Sequence, residues 1–234
     1  MEPLVSKTDL ITVLENFAKC PKEPFKDEDF QKDLQTFAES LFNNFQIKKG
    51  NKLYDFLEIE FYIYNEHHKD CITYERTCEA GYWFFHQSGV DISFKSNLKD
   101  KKKVLEDKSK ITEKEGYGGG ILIRSICDDE GKDICGPQKC VDELFDKFNA
   151  FGDIANFPCI VERNPKIELN IQPCPRYIKK GDPTIDEKRK KWGFKTEDEM
   201  MGFLKQEYRF YDANYSSKLK FNTLETWKDN NNAQ

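Results

Sequence analysis

Two glutamates inside the most apolar stretch of the chain are the first residues that could do chemistry. Glu58 and Glu60 interrupt LYDFLEIEFYIY, Leu53–Tyr64, and alternate with Leu57, Ile59 and Phe61. In an extended strand a period of two puts Glu58, Glu60 and Tyr62 on one face and Ile59, Phe61 and Ile63 on the other. A carboxylate in such a strand is costly unless it is paired or hydrogen-bonded. Arg124, a lone cation at the end of GGGILIR, is the candidate counterion. Two readings follow. A buried Glu–Arg pair can simply pin two strands together. Alternatively, the arginine sets the charge and orientation of a carboxylate in a partly dry pocket, where it acts as a general base on water. Tyr62, Tyr82, Phe84 and Phe85 supply rings for a planar substrate, which suits hydrolysis of a bond to an aromatic base.

The elements that must position these residues can be read from periodicity. Residues 8–47 read as helical, with Pro21 and Pro24 separating a shorter helix from a longer one. In the longer one Phe30, Leu34, Phe37, Ala38, Leu41, Phe42 and Phe45 recur at steps of three and four and make one core-facing stripe. Leu53–Tyr64, Tyr82–His86, Val90–Phe94 and Gly119–Ile126 read as strands, and Gly136-Pro137 opens a helix through Phe148. Further strands are expected near Cys159–Arg163, Ile167–Ile171 and Tyr208–Tyr211, and a capping box at Thr196–Glu199 precedes a helix over Met200–Gln206. The segment 95–116, with eight lysines and five acids, is a charged insertion: a solvated loop, or a lysine-rich arm for phosphates. The fold class is α+β, an N-terminal helical segment over 1–50 ahead of one α+β domain over 51–234.

Composition bounds the rest. The chain has 234 residues, with 37 Lys+Arg against 42 Asp+Glu and a net charge of −5. Aromatics reach 14%, with 19 Phe and 10 Tyr, enough to build a core and to exclude wholesale disorder. No run approaches the ~18 apolar residues of a membrane helix, so no membrane partner is expected. The first thirty residues carry acids throughout and lack an apolar signal core, which points to nucleus or cytoplasm. Eight cysteines contain no CxxC and are expected as reduced thiols; His67, His68 and His86 complete no metal-ligand spacing, so no metal or cofactor is implied.

The order of these motifs resembles the alkyladenine (3-methyladenine) DNA glycosylase family. Leu57–Tyr62 is similar to that family's VETEAY strand, and Gly81–Gly89, GYWFFHQSG, to its aromatic strand ending in Tyr-Gly. Gly120–Ser125 resembles VLLRA, and Cys135–Cys140, CGPQKC, the GPxKLC helix start. Pro175-Arg176-Tyr177 and Tyr208–Tyr211 resemble its closing strands. Together the matches cover about residues 52–215.

The resemblance implies a curved, mostly antiparallel sheet of the methylpurine-glycosylase type. It also implies a monomer that releases alkylated or deaminated purines from DNA after base flipping. It places Glu60 as the carboxylate that deprotonates water at the sugar C1′ and Arg124 beside both. Tyr62 and Phe85 become the rings around the base, with His67 or His68 as its hydrogen-bonding histidine. A shift of one residue would put His86 in place of Phe85. Glu58 and Asp91 are further polar groups near the pocket. Ser88 stands where the family has a tyrosine that enters the duplex, and a serine cannot fill the space of an extruded base.

A duplex reading also needs a basic face, drawn from 95–114 with Arg176, Lys179, Lys180 and 188–191. Two alternatives therefore stand beside the DNA glycosylase. One is hydrolysis of free modified nucleosides, nucleotides or single strands. The other is a non-catalytic binding module of the same architecture.

Overall fold

The computed structural model describes residues 1–19, 26–99 except 69 and 71, and 116–176 except 147, 150 and 153. It also describes 187, 189–190, 194–198, 200 and 206–215. Ser6 starts α1 (Lys7–Asn16): its side chain accepts from the Asp9 amide while the Asp9 carboxylate accepts from Ser6 N–H. Three acids open α2 (Asp27–Asn44), where the helix dipole favours them. The apolar stripe was expected to carry the helix to residue 47, but Phe45–Lys49 is a strand, β1. Phe45 and Ile47 satisfy a period of two as well as one of 3.6, and as β1 they gain pairing on both edges.

Strand β2 (Lys52–Tyr64) pairs antiparallel with β7 (Gly118–Asp128) from Tyr54 opposite Asp128 to Tyr64 opposite Gly118. Both strands outrun their other neighbours, so each takes two. β2 pairs with β1 at one end and with β11 (Arg209–Asp212) at the other. β7 pairs with β8 (Asp133–Cys135) at one end and with β5 (Gly89–Ser93) at the other. β4 (Trp83–His86) continues the sheet beyond β5, and β10 (Ile171–Cys174) beyond β11. β9 (Cys159–Glu162) lies against β1. A register irregularity between Phe56 and Ile59 falls where β2 changes partner. The result is a mixed α+β fold around a curled antiparallel sheet.

The strand expected at Ile167–Ile171 instead begins at Ile171. It contains Pro173, which an edge strand tolerates because no donor is required on its outer side. Helix α3 (Pro137–Phe145) stops three residues before the expected Phe148. The charged insertion does not begin as a loop at 95: β6 (Ser96–Leu98) pairs with β3 (Arg76–Cys78) in a separate ribbon. Ser96 and Leu98 are buried. The remainder of that insertion, 100–115, lies outside the described residues, as does most of the helix expected over 200–206.

Ile59, Phe61, Ile63, Ile92, Ile121, Ile123 and Phe210 turn to one side of the sheet. There they meet Leu10, Leu14, Phe30, Leu34, Phe37 and Phe42 of α1 and α2 in one cluster. Phe37 packs on Phe61 with ring centroids 5.4 Å apart. Each such side chain contributes about 1.5–3 kcal/mol by leaving water. The first fifty residues thus supply 12 of the 29 buried residues of that cluster. Among the described residues no helix is long and apolar enough to cross a membrane.

Candidate active site

With the helices on one face of the sheet, the opposite face carries the polar residues of β2. Directly paired residues project to the same side. Phe84 faces Asp91, Asp91 faces Leu122, Leu122 faces Glu60 and Glu60 faces Arg209, which makes one transverse row. Tyr62, Gly120 and Ser93 form the next row. Gly120 is required there, because a Cβ would lie 2.8 Å from Arg76 Nη1 and 2.9 Å from Asp91 Cβ.

Glu58 and Glu60 share one arginine. Arg124 donates from Nε to Glu58 Oε1 at 2.6 Å and from Nη1 to Glu60 Oε2 at 2.7 Å. The Tyr62 hydroxyl donates to Glu60 Oε1 at 2.7 Å. Glu58 also accepts from Arg209 Nε, and from Ser125 Oγ at 3.0 Å. On the far side Arg176 Nε approaches Glu60 at 3.9 Å, while its Nη1 lies 2.9 Å from Asp70 and its Nη2 donates to the Phe61 carbonyl at 2.7 Å. The result is an alternating ladder, Arg209–Glu58–Arg124–Glu60–Arg176–Asp70, whose formal charges cancel.

The ladder is buried apart from Arg124, whose side chain is 23% exposed against 6% for Glu60. Burial works against the charge of Arg124, but Glu60 and Glu58 outweigh it and raise its pKa. Burial and then the charge of Glu60 hold the Tyr62 hydroxyl well above the usual tyrosine range, so it remains a donor. Among the described residues each Glu60 oxygen has one hydrogen-bond donor, which leaves a further lone pair for a water molecule. The group presented towards the Arg124 opening is therefore an oriented carboxylate beside a guanidinium.

A second polar node lies on the same face beyond Leu122, about 10 Å away at two strand spacings. Asp91 is fully buried. It accepts from Arg76 Nη2 at 2.6 Å and lies 2.9 Å from His86 Nε2. Arg76 rests over the Phe84 ring, 3.9 Å from its centroid.

The structure thus brings Glu58, Glu60, Tyr62 and Arg124 together, and separately His86 with Asp91. Phe85 leaves the group. It pairs with Val90 and projects to the helix side, against Phe145 at 4.8 Å, because the two-residue turn Gln87-Ser88 fixes the hairpin register. His86 and Phe84 take the face assigned to Phe85. Ser88, in that turn, is exposed. His67 is exposed beside Glu66 at 3.3 Å.

His68 is a packed side chain between Phe30 and Tyr208, with centroids 5.1 and 5.3 Å away. Arg176 does not belong to a basic face: its side chain is 1% exposed. Of the remaining residues assigned to that face, 100–114, Lys179, Lys180, Lys188 and Lys191 lie outside the described residues.

Arg76, Asp70, Arg209 and Ser125 were not singled out from the sequence. One signal was available for Arg209: like Arg124, it is a lone cation inside an apolar strand.

Burial pushes the His68 imidazole down to about 4. The unfolded chain, with a histidine near 6.5, takes up a proton first as pH falls, so this residue lowers stability progressively from pH 6.5 to 4. The loss is expected to reach about 3 kcal/mol. In urea unfolding at a series of pH values, His68→Phe should flatten that slope relative to the wild type. An unchanged slope would place the titration elsewhere.

No group of three or more His, Cys, Asp or Glu among the described residues is placed to hold a metal ion. Burial pushes the Cys127 and Cys174 thiols up to about 12, which leaves them poor nucleophiles. No protein-family model, curated protein or solved structure matches this chain.

Proposed function

We propose that this face hydrolyses the N-glycosidic bond of an alkylated or deaminated purine in DNA, acting on an everted base in the manner of the alkyladenine glycosylases. One observation carries the reading: a buried carboxylate, Glu60, is held by Arg124 and Tyr62 so that its free lone pairs are aimed rather than mobile. On this reading the curled sheet is of the methylpurine-glycosylase type.

As the C1′–N bond breaks, its electron pair leaves with the base and positive charge develops on the sugar. The Glu60 anion stabilises that charge. Water then forms the C1′–O bond and gives a proton to Glu60, which passes it to solvent. A cationic alkylated purine departs neutral without further help, while a deaminated purine takes a proton from solvent. An oxocarbenium ion is so electrophilic that orienting the water matters more than strong basicity.

The full internal pairing of the ladder favours a second reading, a non-catalytic nucleic-acid or protein binding module in which the ladder only joins strands. The deciding experiment is base release from alkylated, hypoxanthine and ethenoadenine lesions, each in single and double strands. Release from at least one lesion is expected. Binding to lesion DNA with no release from any of them would favour the module.

A further inference from the structure

On this face the His86 side chain is 5% exposed, and Phe85, paired with Val90, projects to the other side. Both His86 nitrogens are engaged: Nε2 lies 2.9 Å from the buried Asp91, and Nδ1 accepts from the Ser88 amide at 3.2 Å. These partners assign the proton to Nε2. The His86 ring lies 4.5 Å from the Tyr74 ring at an interplanar angle of 31°, and 5.9 Å from Phe84, also at 31°. Arg76, bound to Asp91, covers Phe84 in turn. Arg76, Phe84, His86 and Tyr74 therefore form a ladder of planar groups pinned at one buried carboxylate.

The ladder's outer ring, Tyr74, is 38% exposed, and its hydroxyl pairs with Ser88 Oγ at 3.2 Å in the hairpin turn. We propose that Tyr74 is a platform on which an unpaired nucleobase stacks, with Asp91 as a positioning residue acting through His86. The inference rests on the nucleic-acid reading above and narrows it to single-stranded or locally unpaired substrate.

The chemistry selects a base face over other partners. A ring backed by rings is a rigid flat surface that loses little rotamer freedom on binding. Arg76 is neutralised by Asp91, so among the described residues this node offers stacking and hydroxyl edges but no free cation for phosphate. A duplex hides its base faces and displays phosphates; an unpaired base displays its face to any aromatic ring. The net charge of −5 acts in the same direction by disfavouring a polyanion held through charge alone.

The test uses the full chain carrying Glu60→Gln, which separates binding from cleavage. The probes are fluorescein-labelled single-stranded oligodeoxyadenylate and its duplex with oligothymidylate, read by anisotropy. Single strand is expected to bind tighter than duplex. Tyr74→Ala should weaken single-strand binding about 5- to 100-fold, while Tyr74→Phe and Tyr74→Trp retain it. Unfolding midpoints identify any variant that fails to fold, and the Trp variant then carries the test, because a folded protein with weakened binding overturns the platform. Alanine binding as tightly as tyrosine also overturns it, as does a phenylalanine variant as weak as alanine. Tyr74-dependent binding, with no base release from any lesion by the chain that keeps Glu60, leaves the platform standing and removes the hydrolytic reading. Base release by the chain that keeps Glu60, with binding indifferent to Tyr74, does the reverse.

Discussion

Glu60→Gln is expected to reduce base release by about 10²- to 10⁴-fold, the range over which a positioned general base contributes. The substitution is close to isosteric, and its new hydrogen bonds can be satisfied. The amide oxygen can accept from Arg124 Nη1, and the amide NH₂ can donate to the Tyr62 oxygen, reversing the direction of that bond. What disappears is the negative charge next to the developing sugar cation and the acceptor for the water proton.

The charges of the six ladder residues no longer cancel, so the fold must be checked by near-ultraviolet circular dichroism beside the rate. Glu58→Gln is the matched control. It removes the same charge from the same ladder, but Glu58 is fastened by Arg124, Arg209 and Ser125 and leaves the water site untouched. Release at the wild-type rate in Glu60→Gln removes this residue from the mechanism. Equal losses in both variants would mean that the ladder acts only by joining strands.

The largest expected loss of stability comes from the second node. Asp91→Leu strands Arg76, whose side chain has no exposure and which relies on Asp91 for its one charge partner among the described residues. Breaking a buried pair from one side costs about 3–5 kcal/mol, because the surviving charge can neither return to water nor find a counterion. Replacing both partners removes that penalty, so Arg76→Met combined with Asp91→Leu should recover most of it. Urea unfolding of the two single variants and the double variant checks this. Losses that simply add would show that the two side chains are uncoupled, contrary to their 2.6 Å separation.

Much of the architecture was legible in the sequence. The alternation around Ile59, Phe61 and Ile63 identified β2 and its two faces, and the stripe from Phe30 to Phe42 identified α2, since both periods are local consequences of backbone geometry. Where one residue satisfied two periods, as Phe45 and Ile47 do, local pattern could not choose between helix and strand; pairing with β2 and β9 decided it. The assignment of Phe85 failed for a related reason. A strand's faces exchange with a slip of one residue, and only the hairpin register places His86 and Phe84 beside Asp91.

By itself the sequence determined that Glu58, Glu60 and Arg124 needed partners, because an isolated charge inside an apolar strand is too costly to leave alone. It could not determine that Arg124 serves both glutamates, that Arg209 and Arg176 complete the ladder, or that Asp91 holds Arg76 and His86. Those partners come from positions 64 to 151 residues apart for the β2 glutamates alone. The chain has six arginines, and the five outside the helical piece at 189 are largely withdrawn from solvent. A guanidinium can leave water when its fork meets carboxylates in a fixed geometry. Which carboxylate it meets depends on strand order and register, and these exist only once the sheet has closed.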